Sequence, residues 1–185
     1  MRWLDALLGR TRAVTPNLDA LFALPSAAVT LQAATGLAPT GLGSVCFRAA
    51  EGSAFAALEN DVRALLGERV ERSADAYGYT WLLVRRAPSD LAGLVTELHA
   101  VNSSLEGAGF GPSLLCSLVS FDGPGGRRLA VIYLYKRGTF YPFAPLPGER
   151  RDNALELQAR GVLAGELPLE EDLSRWFPVW GAPGL

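Results

Sequence analysis

Residues 114–137 decide the fold. Two long apolar runs, LLCSLVSF (114–121) and LAVIYLYKR (129–137), are joined by DGPGGRR (122–128). Both runs are rich in aliphatic, β-branched and aromatic residues, which is typical of strands. The joining segment holds three glycines and a proline, which favour a turn. The pattern predicts a β-hairpin, the clearest in the chain.

The other elements are predicted outward from this hairpin. YTWLLVRR (79–86) is apolar at alternate positions on both faces, as expected of a strand that is covered on both sides. The segment 90–107 places leucines and valines on one helical face. The remaining expectations are helices over 2–9, 16–24, 53–66 and 151–163, strands over 28–33 and 44–49, a Gly/Pro-rich connection over 36–43, and an extended or looped segment over 138–147.

This order of elements predicts a single α+β domain over residues 1–185. Its expected core is a mostly antiparallel sheet of four to five strands with helices packed on it. Residues 1–12 are expected to form a short N-terminal helix, and residues 164–185 a C-terminal tail docked on the core. With the helix over 53–66 treated as an insertion, the order is similar to the secretion-chaperone-like fold, which is a binding fold.

The composition excludes several classes of protein. The chain has 185 residues, 49% of them hydrophobic, and a formal net charge of −2. A chain of this kind is neither disordered nor a coiled coil, and it lacks the basic balance of a nucleic-acid-binding domain. Cys46 and Cys116 lie in apolar runs without a second ligand nearby, which predicts two buried reduced thiols. The absence of a signal-peptide pattern or an 18-residue apolar stretch predicts a cytoplasmic protein.

Residues suited to catalysis are scarce. His99 is the only histidine, and the favoured interpretation is a helix-boundary residue without a catalytic role. No serine lies in a nucleophile-elbow pattern, and the glycines between Gly36 and Gly43 lack the ending of a phosphate loop. The run over 170–172 is expected to be a solvated acidic segment. We therefore expect no catalytic residues, no cofactor and no metal site.

The segment YLYKRGTFYPFAP (133–145) combines aromatic and basic side chains. A core strand that ends in a capping loop is the first interpretation, a protein-binding surface the second, and nucleic-acid binding a distant third because the domain is slightly acidic. Residues 111–160 hold seven basic and four acidic side chains, which gives this part a net charge of +3. The predicted partner-binding residues are Arg127, Arg128, Tyr135, Lys136, Arg137, Phe140, Tyr141, Trp176 and Trp180.

The N-terminal segment has a short apolar face made by Trp3, Leu4, Leu7 and Leu8, with arginines around it. Such a face can lie on a membrane surface or in a groove of a partner. Because the face is short, packing against its own domain is the favoured interpretation. We therefore expect any association with the membrane to be peripheral or to occur through a partner.

Five segments are distinctive when taken together: WLDALLGR (3–10), YTW (79–81), LHAVNS (98–103), YKRGTFYPF (135–143) and RWFPVWG (175–181). With these segments the chain resembles the PspA-associated protein PspAB family. The resemblance runs along the whole chain. It implies a role in the phage-shock-type envelope stress response, with a PspA-like coiled coil and an HtpX-like membrane protease as partners. It assigns no catalytic role to any residue of this chain.

The resemblance and the lack of a catalytic set together predict a non-enzymatic adaptor at the inner face of the membrane. The alternative is a small-molecule or nucleotide-binding domain, or a hydrolase that uses His99. A hydrolase of this kind requires a polar pocket beside the histidine ring.

Overall fold

The structure, a computed structural model, describes residues 16–49 and 52–185. Its helices are α1 (Leu24–Thr35, preceded by a 3₁₀ turn over Leu18–Ala23), α2 (Ser53–Leu66), α3 (Leu91–Leu105) and α4 (Asn153–Leu163). Its strands are β1 (Ala38–Arg48), β2 (Val70–Ala74), β3 (Tyr79–Arg85), β4 (Leu114–Gly123), β5 (Arg127–Leu134), β6 (Thr139–Phe143), β7 (Pro145–Leu146) and β8 (Arg150–Arg151). The predicted helix over residues 1–12 lies outside the described residues.

The predicted β4–β5 hairpin is confirmed and lies within an antiparallel sheet of six strands, in the order β2-β3-β1-β4-β5-β6. Phe121 lies opposite Leu129, and Cys116 lies opposite Leu134. The turn between the two strands contains Gly125 and Gly126 in the left-handed region, with φ of 72° and 74°. Glycine adopts this backbone conformation without the steric cost that a side chain brings. The α+β class is therefore confirmed, with six strands instead of four to five.

The helices cover one face of the sheet. The apolar stripe of α3 is buried as predicted, with Leu94, Leu98 and Val101 at most 1% exposed. These side chains meet alternate strand residues such as Val45 and Val119 in one continuous core. The Nδ2–H of the buried Asn102 on the same stripe donates to Ser117 Oγ on β4 at 2.8 Å, so these two buried polar groups are paired inside the core.

The C-terminal tail covers part of the other face. Strand residues on this face, among them Ile132, Tyr141 and Phe143, form a second core cluster with Trp176 and Ala182 of the tail. The sheet is therefore buried between helices on one side and an irregular segment on the other.

The strand predicted over 28–33 is wrong, because these residues belong to α1. Leu24, Ala27 and Leu31 recur at helical spacing and are buried. Pro25 lies in the first turn of the helix, where its missing N–H leaves no hydrogen bond unmade, so it begins α1 instead of ending a helix there.

The Gly/Pro-rich connection predicted over 36–43 is also corrected, because most of it belongs to β1. Gly41 has φ of 82°, and a Cβ there would lie 2.2 Å from the carbonyl oxygen of Arg86. The register of β1 against β4 shifts between Pro39 and Gly43, which marks a bulge. The glycine permits this bulge, so the strand continues through a segment that resembles a loop.

The segment over 138–147, expected to be extended or looped, contains the edge strand β6. The tail pairs with the outer side of this strand: Phe140 donates its N–H to the carbonyl of Pro168 at 2.8 Å, and Glu170 donates to the carbonyl of Phe140 at 2.7 Å. An uncovered edge exposes unpaired backbone groups to other chains. The tail therefore protects this edge as well as part of the second face.

Among the described residues, Leu18–Thr35 is the one helical stretch long and apolar enough to cross a membrane by length and composition alone, with a mean hydropathy of 1.2. The helix of a soluble core passes the same test. Leu21, Leu24 and Leu31 of this stretch are at most 2% exposed and lie in the helix-side core.

Candidate functional site

An open groove of about 660 Å³ lies on the second face of the sheet, beside the C-terminal tail. We name it the tail groove. Its floor contains Cys46, Cys116 and Leu134 from three adjacent strands. Its aromatic lining residues are Tyr77, Tyr79, Trp81, Tyr141, Phe177 and Trp180. The volume falls within the range of about 300–1,000 Å³ that is usual for ligand sites.

The two cysteines in the floor face each other across β1 and β4, where Cys46 and Cys116 are register partners. Both are free and buried. A hydrogen bond to the second thiol, together with burial, raises the pKa of Cys46 far above its ordinary value. Because the thiolate is the reactive form, this thiol is a weak nucleophile at neutral pH. The prediction of two buried thiols is confirmed.

Asp75 lines the tail groove from the turn between β2 and β3. Its carboxylate accepts hydrogen bonds from the indole Nε1–H of Trp81 at 3.0 Å and from the backbone N–H groups of Tyr77 and Tyr79 at 2.9 and 3.0 Å. Partial burial opposes ionisation, but these hydrogen bonds outweigh it and lower the pKa of Asp75. The groove therefore holds a fixed negative charge.

The wall formed by the tail is held by specific contacts. Trp176 stacks on Tyr141 with 6.1 Å between ring centroids, and its Nε1–H donates to the carbonyl of Glu170 at 3.0 Å. The Tyr141 hydroxyl donates to the carbonyl of Phe177 at 2.8 Å. Arg151 Nη1 donates to the carbonyl of Trp176 at 2.6 Å. These bonds fix the backbone of the tail and leave the side chain of Phe177 58% exposed at the groove.

Four of the predicted partner-binding residues are buried. Phe140 and Tyr141 are at most 1% exposed, and Tyr135 and Trp176 are 4% and 5% exposed. The Tyr135 hydroxyl donates to Glu106 Oε1 at 2.8 Å, and burial with this neighbouring carboxylate raises the pKa of Tyr135 to about 12. Side chains this deeply buried support the surface but offer little area to a partner.

The predicted basic residues do not form one patch. Arg127 Nη2 donates to the carbonyl of Thr35 at 2.6 Å, and Arg137 Nε donates to the buried carboxylate of Glu170 at 2.8 Å. Arg128 and Lys136 are exposed. They lie at opposite ends of β5, and eight residues of a strand span roughly 26 Å. Their role in binding a partner stays a prediction.

Trp180 lies in the tail groove, half-buried, with its ring 4.8 Å from the ring of Phe143. Of the nine predicted residues, the structure therefore brings Tyr141, Trp176 and Trp180 together around the tail. It leaves Arg128 and Lys136 apart from them.

His99 lies on α3 beside the 3₁₀ turn that precedes α1. Its Nε2 is 3.1 Å from Asp19 Oδ1, its Nδ1 is 3.3 Å from Ser103 Oγ, and its ring is 4.6 Å from that of Phe22. The order Asp–His–Ser resembles a hydrolytic triad, but the Asp19 side chain is 84% exposed. The tail groove and two smaller cavities in the described part of the chain are not lined by His99. This arrangement fits a helix-boundary histidine.

Within residues 16–49 and 52–185, no group of three or more His, Cys, Asp or Glu side chains is arranged to hold a metal ion. Glu170 of the acidic run over 170–172 is not solvated as predicted. It is 2% exposed and accepts hydrogen bonds from Arg137 and Thr139. It is therefore bound inside the fold by neighbouring side chains.

The chain matches the family described as PspA associated protein B over residues 1–184. The chain belongs to this family. The resemblance expected from the sequence motifs is thereby confirmed, and it connects the chain with PspA. No curated protein and no solved structure gave a match to the chain.

The family motifs now have positions in the fold. YTW (79–81) begins β3 and supplies two rings of the tail groove, and RWFPVWG (175–181) forms its opposite wall. Sequence reasoning missed Tyr77, Tyr79, Trp81 and the facing cysteines as parts of one site. The available signal is that Cys46, Trp81 and Cys116 each lie within an apolar strand segment. The sequence does not show which of these strands are neighbours.

Proposed function

We propose that the protein is a non-enzymatic adaptor of the phage-shock-type envelope stress response, and that it binds a PspA-like coiled coil in the tail groove. Membership of a PspA-associated family over the whole chain supports the choice of partner. The observation that carries the choice of site is the open aromatic groove itself, which an apolar helix face can enter.

The groove presents exposed rings to such a helix. Tyr77 is 84% exposed and Phe177 is 58% exposed, and both lie at the groove. Large exposed aromatic side chains next to a concave apolar surface are typical of binding sites, because tyrosine and tryptophan dominate interface energetics. A helix of a coiled coil carries apolar residues at regular spacing and matches this surface.

We further propose that the protein acts in the cytoplasm, at the inner face of the membrane, through its partners. An HtpX-like membrane protease is the second proposed partner. Together these partners would place the protein between a membrane-guarding coiled coil and a membrane-bound protease. The groove and the family membership both support an interaction role.

A small-molecule site is the second candidate function, because the volume of the tail groove suits a small organic ligand. A nucleotide fits less well. The lining residues include the carboxylates of Asp75 and Glu149 and no lysine or arginine, so the groove repels phosphate groups.

Calorimetric titration with a PspA-like coiled-coil protein tests the adaptor proposal. We expect saturable binding, and we expect Tyr77→Ala and Phe177→Ala each to weaken it at least about fivefold, as truncation of an interface anchor does. Leu157→Ala is the matched control, because Leu157 is 53% exposed on α4 and lies outside the groove.

The same titration tests the predicted basic surface through Arg128→Ala and Lys136→Ala, whose side chains are exposed. If Arg128→Ala and Lys136→Ala weaken binding while Tyr77→Ala and Phe177→Ala do not, the binding site lies at the ends of β5 and not in the tail groove. An absence of binding by the unaltered protein would refute the PspA-like partner. Titration with the HtpX-like protease tests the second partner in the same way.

A further inference from the structure

The aromatic lining of the tail groove is accompanied by uncompensated negative charge. Asp75 and Glu149 both line it. In the described part of the chain neither carboxylate has a basic side chain within ion-pair distance. The hydrogen-bond donors to Asp75 are neutral groups, so they orient its charge without cancelling it.

A cation already lies against one of the rings. The guanidinium carbon of Arg48 is 5.7 Å from the centroid of Tyr79, across the register pair that joins β1 and β3. Cations are attracted to the negative faces of aromatic rings within about 6 Å. Arg48 itself is not among the groove-lining residues, so it leaves the two carboxylates available.

Aromatic faces and carboxylates together select one class of group. A neutral apolar side chain gains from the rings but leaves the carboxylates partly desolvated without a partner. An anion is repelled by them. A guanidinium satisfies both, because it stacks on rings through its plane and donates hydrogen bonds to carboxylates along its edge.

We propose that the tail groove receives an arginine side chain that projects from the apolar face of a partner helix. This inference rests on the proposed adaptor function and names the chemistry that the partner must present. The apolar neighbours of the arginine contact the rings of Trp180 and Phe177, and the guanidinium lies between Asp75 and Glu149. The groove thereby selects helices that carry a positive charge within an apolar face.

The experiment titrates the protein with a helical peptide that carries one arginine flanked on the same face by leucines at i−4, i−3, i+3 and i+4, and with the analogue in which citrulline replaces arginine. The two peptides have nearly the same shape and differ in charge. The reporter is the indole N–H resonance of Trp81, because that group donates to Asp75 and responds to a cation bound there. We expect the arginine peptide to shift this resonance and to bind at least tenfold more tightly than the citrulline peptide.

Glu149→Gln tests the charge without altering the core, because Glu149 is exposed in the turn between β7 and β8. We expect the preference for arginine to fall below about threefold in this variant. Asp75→Asn is a second variant with the same expectation. Glu68→Gln, an equal charge change at an exposed site outside the groove, is the control and should keep the preference.

Equal binding of the two peptides, or an arginine preference that survives both Asp75→Asn and Glu149→Gln, overturns the inference. The peptides are used without the PspA-like protein, so this result is independent of the calorimetric titration. Arginine selectivity with no PspA-like binding would refute the adaptor partner alone. PspA-like binding without arginine selectivity would refute the inference alone.

Discussion

Replacement of Trp176 by alanine tests whether the tail is part of the folded core. Trp176 is 5% exposed, stacks on Tyr141 and donates to the carbonyl of Glu170. The guanidinium carbon of Arg160 also lies 6.0 Å from its ring. Removal of a buried Trp or Phe side chain destabilises a protein by about 3–5 kcal/mol, through lost apolar burial and the cavity left behind.

For a domain of this size, each kcal/mol lowers Tm by about 2–4 °C, so Trp176→Ala should lower Tm by about 6–20 °C. Thermal denaturation followed by circular dichroism measures this shift. Phe177→Ala is the matched control, because Phe177 is the next residue of the tail and its ring is 58% exposed. This substitution should lower the free energy of unfolding by less than about 1 kcal/mol. If Trp176→Ala also costs less than about 1 kcal/mol in urea unfolding, the tail does not pack as described.

Three further predictions follow from the structure and the sequence. Burial disfavours the ionised Glu170 carboxylate, but hydrogen bonds from Arg137 and neighbouring groups outweigh this and lower its pKa. The ionised carboxylate should therefore stabilise the fold fully above the ordinary glutamate pKa of about 4.5, and this stabilisation should be lost as the pH falls through the lowered pKa. The free energy of unfolding in urea, measured from pH 7 to pH 3, should depend less steeply on acid in Glu170→Gln than in the unaltered protein. Arg137→Ala should lower Tm because it leaves the buried Glu170 carboxylate without its cation, whereas Lys136→Ala, with an exposed side chain, should leave Tm unchanged; equal Tm values for both would contradict the contact. Sedimentation with anionic vesicles should be lost on deletion of residues 1–12 if the N-terminal segment attaches the protein to membranes, and sedimentation that persists would contradict that role.

Local patterns were sufficient to predict the central elements. The β4–β5 hairpin follows from its apolar runs and turn residues, and α2 and α3 follow from periodicity, because the same face of each helix stays buried along its length. The strand predicted over 28–33 is wrong because this short segment, AVTLQA, contains apolar and β-branched residues that fit a strand as well as a buried helix. The apolar stretch Leu18–Thr35 is longer than a usual strand, and this length indicates a helix.

The tail groove was not predictable in the same way. Cys46, Trp81 and Cys116 are adjacent only because β1 lies between β3 and β4, an order that no local signal contains. The aromatic residues of the block over 133–145 are buried, as the first interpretation of that block predicts. Which of them lie under the tail depends on the path of residues 168–185. This segment is irregular, and irregular backbone gives no periodic sequence pattern from which its path could be predicted.

The helices and the tail, which cover opposite faces of the sheet, differ in how well they can accommodate a binding site. The helix-side core contains the long apolar stripes of α1 and α3, so an opening there would expose a large apolar area at high cost. The tail covers the other face through a few aromatic contacts and backbone hydrogen bonds, and it leaves the tail groove open beside it. A binding site beside the tail therefore leaves the main core intact when it is occupied or altered. For this reason we expect variants at Tyr77, Phe177 and Glu149 to separate binding from folding, as Trp176 variants cannot.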